Sequence, residues 1–203
     1  MKNHVVITGT GRTGTTFLIQ LLTHLKLDTG WSDSTVHYGF HKYARAGLEH
    51  NDKNLWNSYI IKTPNFYEYA EEIFKNHNIQ IDHIFVPIRN LHAAAESRRY
   101  VIRNTPPDPS VHPLFVPGGL THTDDEDAQE YILLLQIYKL MFVVSKTDIP
   151  LTLLNYPRIT KDCGYLYKKL VPILKGINED QFLNAFNRIV RQDLVHHFNK
   201  NDR

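Results

Sequence analysis

A chain of 203 residues can bury roughly 70% of its unfolded surface in one core, so residues 1–203 read as a single domain. Apolar residues at 42%, charged residues at 22% and a formal net charge of +2 exclude a disordered chain and offer no dense basic run for nucleic acid. One cysteine, Cys163, excludes an internal disulfide and a CxxC motif; with no signal-peptide pattern at Met1-Lys2-Asn3-His4 and no run of ~20 apolar residues, a cytoplasmic protein without a membrane span is expected.

In chain order, the first apolar run is His4–Thr8, and it reads as a buried parallel strand. A glycine-rich turn follows, then a helix whose apolar face carries Phe17, Leu18, Leu21, Leu22 and Leu25. Tyr59–Thr63 and His83–Ile88 are the second and third strands, each succeeded by a helix-like stretch. Residues 104–123 hold Pro106, Pro107, Pro109, Pro113, Pro117, Gly118 and Gly119, so an irregular loop is expected there, either functional or a solvated excursion. Thr123-Asp124-Asp125-Glu126 has the form of a capping box ahead of the apolar helix Tyr131–Val144. Leu151–Asn155 supplies a fourth strand, and Phe182, Phe186, Ile189 and Val190 mark one face of a final helix. Strands alternating with helices predict an α/β fold: a three-layer sandwich with a central parallel sheet, like that of P-loop NTPases.

The turn Gly9-Thr10-Gly11-Arg12-Thr13-Gly14-Thr15-Thr16 between strand and helix is built to receive a phosphate-like group. Bare glycine backbone approaches an anion closely, and the helix N-terminus adds its positive dipole end. Three machines fit the spacing. Gly9, Gly11 and Gly14 spell GxGxxG, yet the acidic ribose ligand about 20 residues on, at the end of a second strand, is missing: Asp28 and Asp33 follow no strand. Gly9 and Gly14 also align with a nucleoside-triphosphate P-loop, with Thr16 as its metal-binding hydroxyl, but Thr15 stands where the lysine belongs. No apolar strand ends in the aspartate that helps hold Mg²⁺, so ATP phosphoryl transfer is disfavoured. The third machine uses Arg12 inside the loop as a fork for a 5′-phosphosulfate.

Gly11-Arg12-Thr13-Gly14-Thr15-Thr16 resembles the 5′-phosphosulfate loop of the sulfotransferases that use 3′-phosphoadenosine 5′-phosphosulfate (PAPS), with Gly11 in place of that loop's proline. Lys62-Thr63-Pro64-Asn65-Phe66-Tyr67 is similar to the Lys-Ser/Thr-Pro-x-Tyr/Phe segment after the second strand of the heparan-sulfate-type and bacterial members. Arg89 at the end of the third strand and Ser97 on the next helix resemble the family's 3′-phosphate site, although Asn90-Leu91 replaces Asp-Pro. The resemblance spans residues 4 to 100 and fades beyond the fourth strand; Arg98 and Arg99 are further candidates, and Arg188, Arg191 and Lys200 stay unassigned.

The resemblance implies an enzyme that moves a sulfuryl group from PAPS, as co-substrate, to a hydroxyl or amine on a small-molecule or carbohydrate acceptor, with no metal required. Cofactor binding then falls to Gly11, Arg12, Thr13, Gly14, Thr15, Thr16, Arg89 and Ser97. Arg12 and Lys62 would stabilise the leaving oxygen, with Lys62 the better proton donor. The family often places a glutamate or histidine base shortly after the first helix; Asp33, His37 and His41 are available, and His37 is preferred because imidazole titrates near 6.5. Trp31, Tyr38 and Phe40 could stack an acceptor ring or belong to the core. The other readings to be weighed are a P-loop nucleotide kinase or NTPase and a noncatalytic nucleotide-binding module.

Overall fold

In the computed structural model, which describes residues 2–37, 46–106 and 116–198, four strands form one parallel sheet in the order β2-β1-β3-β4. They are β1 (Lys2–Ile7), β2 (Ile60–Lys62), β3 (Ile79–Ile88) and β4 (Leu151–Asn155). Val6 lies beside Ile61 on one flank and Ile84 on the other, and Ile84 is in turn beside Leu151. β3 begins four residues before the sequence expectation because Ile79-Gln80-Ile81 pairs with the half-solvated start of β1, where no continuous apolar run marks a strand.

Side chains alternate across the sheet and so build two cores. Val5, Ile7, Ile60, Phe85 and Leu154 face α1 (Thr15–His24), α5 (Cys163–Leu170) and α6 (Glu179–Ile189). Val6, Ile61, Ile84 and Val86 face α2 (Phe66–Lys75) and α4 (Gln129–Val144). α3 (Leu91–Asn104) packs on α4 through Ala94, Ala95 and Leu133. The three-layer α/β sandwich expected from the strand-helix alternation is therefore the fold. The described residues contain no helix long and apolar enough to cross a membrane.

The capping box lies elsewhere than expected. Thr123 Oγ1 accepts from the Asp125 amide, Asp125 caps a short 3-10 turn at Glu126–Ala128, and α4 starts only at Gln129. Gln129 is fully buried and exchanges hydrogen bonds with the Thr121 backbone, so a tertiary contact sets this boundary. The reciprocal box is at Asn178 and Gln181, opening α6.

The chain moves from β1 outward to β2 and then crosses back to β3 on the other side of β1. The winding direction thus reverses between β1 and β3, and a crevice opens at the carboxyl ends of these two strands.

Candidate functional site

Residues 9–14 leave β1 in a backbone with positive φ at Gly9 (140°), Gly11 (69°), Arg12 (56°) and Gly14 (86°). At Gly14 the requirement is strict: a Cβ would stand 2.9 Å from Cδ2 of Tyr156 and 3.1 Å from Cδ1 of Ile159. Arg12 accepts the left-handed conformation at a cost of roughly 1–2 kcal/mol, and its side chain is thereby turned into the crevice. Gly14 caps α1 without any side-chain oxygen, and no acidic residue stands in the first turn, so the amide end that starts with Thr15 and Thr16 faces the crevice uncompensated.

Under the loop lies Arg98, buried, donating to the carbonyls of Thr10 and Gly119. It ties the glycine loop to the described end of the 104–123 segment. Burial, with Arg12 adding repulsion, pushes its pKa down to about 9. Its neighbour Arg99 pairs with Glu96 and Glu130, binding α3 to α4. Both arginines are buried: Arg99 is structural and Arg98 supports the loop.

Arg12, Ser97 and Arg89 form one continuous cluster. Arg12 Nε donates to Ser97 Oγ at 3.1 Å, and Arg89 Nη1 donates to the Arg12 carbonyl at 3.4 Å. Arg89 also donates to the carbonyl of His196 and lies over the Tyr156 ring at 5.0 Å. Burial pushes the Arg12 guanidinium down to about 10, which leaves it charged at neutral pH. Thr13, in the same loop, buries its hydroxyl with no hydrogen-bond partner among the described residues.

Lys62 occupies the end of β2 and is almost fully buried. Its Nζ donates to Thr16 Oγ1 at 2.9 Å, to Glu49 Oε1 at 2.8 Å and to the Gly47 carbonyl. Burial holds its pKa below the usual lysine value, with Glu49 acting in the opposite sense. A lysine held in this way gives up a proton more readily than a solvated one.

Glu49 was not among the candidates from sequence. Neither was His50, which completes the open edge of β2: its amide donates to the Lys62 carbonyl and its Nδ1 accepts from the Lys62 amide at 3.0 Å. That acceptance leaves the ring proton on Nε2, which faces the Thr29 carbonyl at 3.1 Å. His50 is thus a neutral imidazole standing in for a missing strand. Nothing in the local pattern of Ala46-Gly47-Leu48-Glu49-His50 announces this role, because it exists only against β2.

Around these groups opens a single cleft of about 1390 Å³, lined by Gly11, Arg12, Gly14, Thr15, Thr16, Lys62, Arg89 and Ser97, and by Glu49. Pockets for drug-sized ligands run about 300–1,000 Å³, so the cleft has room for more than one such molecule. His37 stands at its rim, exposed, with its ring 5.4 Å from that of His24. Asp33 does not line the cleft; it pairs with Lys26 and lies 3.3 Å from His24 on the exposed surface, so its candidacy as base is corrected. Trp31 packs on the core beside α1 and meets His50 edge to face, which makes it a core residue. Arg188 and Arg191 reach the cleft, Arg191 paired with Asp193. His41, Tyr38, Phe40 and Lys200, and residues 107–115 of the Pro/Gly-rich loop, lie outside the described residues.

No protein-family model matches the chain, and no curated protein matches it.

Proposed function

We propose that the protein is a PAPS-dependent sulfotransferase. The observation that carries the reading is the lining of one cleft by Arg12, Lys62 and Arg89, from the ends of three neighbouring strands, around a glycine loop without the P-loop lysine. PAPS carries anions at both ends of its ribose, and the cleft offers cations for each: the loop amides with Arg12 toward the 5′-phosphosulfate, and Arg89 toward the 3′-phosphate. Ser97 accepts a hydrogen bond from Arg12 and lines the same cleft.

In the reaction so proposed, the acceptor oxygen or nitrogen forms a bond to sulfur as the bond from sulfur to the bridging phosphate oxygen breaks. The products are the sulfated acceptor and adenosine 3′,5′-bisphosphate. Arg12 and Lys62 meet the charge that develops on the bridging oxygen, and Lys62 can donate a proton there. Glu49 is the carboxylate nearest this chemistry and the favoured recipient of the acceptor's proton, with His37 as the second candidate at the rim. The kinase reading draws less support. Besides Thr15 at the lysine position, β2 and β4 end at Lys62 and Asn155 and β3 ends at Ile88, just before Arg89, so none of these strands ends in an aspartate to carry Mg²⁺.

Thermal denaturation tests the proposal. Adenosine 3′,5′-bisphosphate at 100 times its Kd stabilises by about 2.7 kcal/mol, which raises Tm by roughly 5–10 °C in a chain of this size. AMP, unable to engage Arg89 through a 3′-phosphate, should give a clearly smaller rise at the same concentration. Equal shifts from both nucleotides, or Mg-ATP turnover without sulfuryl transfer, would overturn the assignment.

A further inference from the structure

The cleft is divided by charge along the strand order. Toward the ends of β1 and β3 its wall carries Arg12 and Arg89; Arg188 and Arg191 also line it, Arg191 paired with Asp193. On the outer side of β2 the wall changes character to carboxylates and amides: Asp52 and Glu68, with Asn51, Asn54 and Asn65 between them. All five of these residues are exposed; Asp52 also accepts from the Asn54 amide, and Glu68 accepts from the Tyr67 hydroxyl and lies 3.2 Å from His122 Nε2. Asn65 precedes α2 without using its side chain as a cap, and Glu68 sits in the first turn of that helix. The one lysine of this wall, Lys53, is tied to Glu72. Tyr69 adds a ring to the same wall, its hydroxyl held by Thr63 Oγ1.

Amide and carboxylate side chains around one ring suit hydroxyl groups, which need donors and acceptors set side by side. The same carboxylates repel sulfate, phosphate and carboxylate on an incoming molecule. The anionic co-substrate belongs on the arginine side, and Lys62 with Thr16 marks the border between the two halves. From this partition we infer that the β2 side is the acceptor subsite, and that it takes a polyhydroxylated acceptor without negative charge, a neutral or amine-bearing sugar. The inference rests on the proposed function only for the name of acceptor; the binding preference belongs to the wall itself.

The test separates the two. Calorimetric titrations would be run with three sugar probes, the N-acetylglucosamine trimer, the glucosamine trimer and a heparin tetrasaccharide, and with 4-nitrophenol, each with and without saturating adenosine 3′,5′-bisphosphate. The neutral and cationic trimers should bind, and the heparin fragment should bind at least tenfold more weakly in the presence of the nucleotide. Glu68→Lys should weaken the cationic trimer by about fivefold, the scale of one exposed charge pair, and leave nucleotide affinity within twofold. Preference for the heparin fragment or for the phenol would overturn the inference while the nucleotide result stood. Binding of the trimers, sensitive to Glu68→Lys, in a protein that ignores the nucleotide would uphold the subsite and defeat the transferase reading.

Discussion

Glu49→Ala should destabilise the protein more than Lys62→Met, even though Lys62 is the residue on which the proposed transfer depends. The Lys62 side chain is 1% exposed and that of Glu49 is 23% exposed. Removal of Glu49 strands an ammonium in the interior with two neutral acceptors, Thr16 Oγ1 and the Gly47 carbonyl. Breaking a buried pair from that side costs about 3–5 kcal/mol, and loss of the proton from an amine whose pKa is already depressed relieves part of it, so about 3 kcal/mol is expected at neutral pH. Lys62→Met instead keeps the apolar stem and abolishes the cation. Glu49 can then turn to solvent, and the remaining loss is one or two hydrogen bonds, about 1–2 kcal/mol. At about 2–4 °C per kcal/mol for a chain of this size, the two midpoints should differ by roughly 2–8 °C. Circular dichroism through urea and thermal titrations at pH 7.5 measures both variants. A Lys62→Met protein as unstable as Glu49→Ala would refute the assignment of the desolvated charge to lysine.

Three further outcomes follow from the same geometry. Gly14→Ala, forced to φ 86° with its Cβ 2.9 Å from the Tyr156 ring, should lose roughly 2–3 kcal/mol in urea titrations and at least tenfold in adenosine 3′,5′-bisphosphate affinity; wild-type values for either would show that the loop tolerates a side chain. Because burial holds the Lys62 pKa below 10.5 and the protonated form is the donor in the proposed transfer, kcat should fall as pH rises through that lowered value. Lys62→Arg, which stays charged, should move this alkaline limb upward at reduced kcat, and an unmoved limb would remove Lys62 from the role. His4, His50 and His83 are held below their usual pKa chiefly by burial, so the unfolded chain takes up protons near pH 6.5 that the native state refuses. Stability should be full above about pH 6.5 and decline as pH falls below it, each histidine contributing at most about 1.4 kcal/mol per pH unit. Urea midpoints at pH 7.5 and 5.5 check this, and a higher midpoint at pH 5.5 would contradict it.

The α/β layering was legible in the chain alone, because buried parallel strands must be continuous apolar runs and their helices must repeat at helical spacing; Val5-Val6-Ile7 and the Leu18, Leu21, Leu22 face carry that signal locally. The suitability of Gly9–Thr16 for an anion was legible in the same way, since the demand for glycine and the free helix amides are properties of consecutive residues. Which charged groups share the cleft is fixed by packing in three dimensions. Asp33 and His37 are four residues apart, yet one pairs on the outer surface and the other stands at the rim. Glu49 and His50 come from a segment with no strand or helix pattern and gain their roles from the unpaired edge of β2, 12 to 13 residues further along the chain. The Arg12–Ser97 bond joins residues 85 positions apart, and Arg98 reaches 88 positions back to the loop it supports. Burial and charge pairing act across such separations, where one-dimensional spacing carries no information, so the chemistry of the site was settled by packing rather than by pattern.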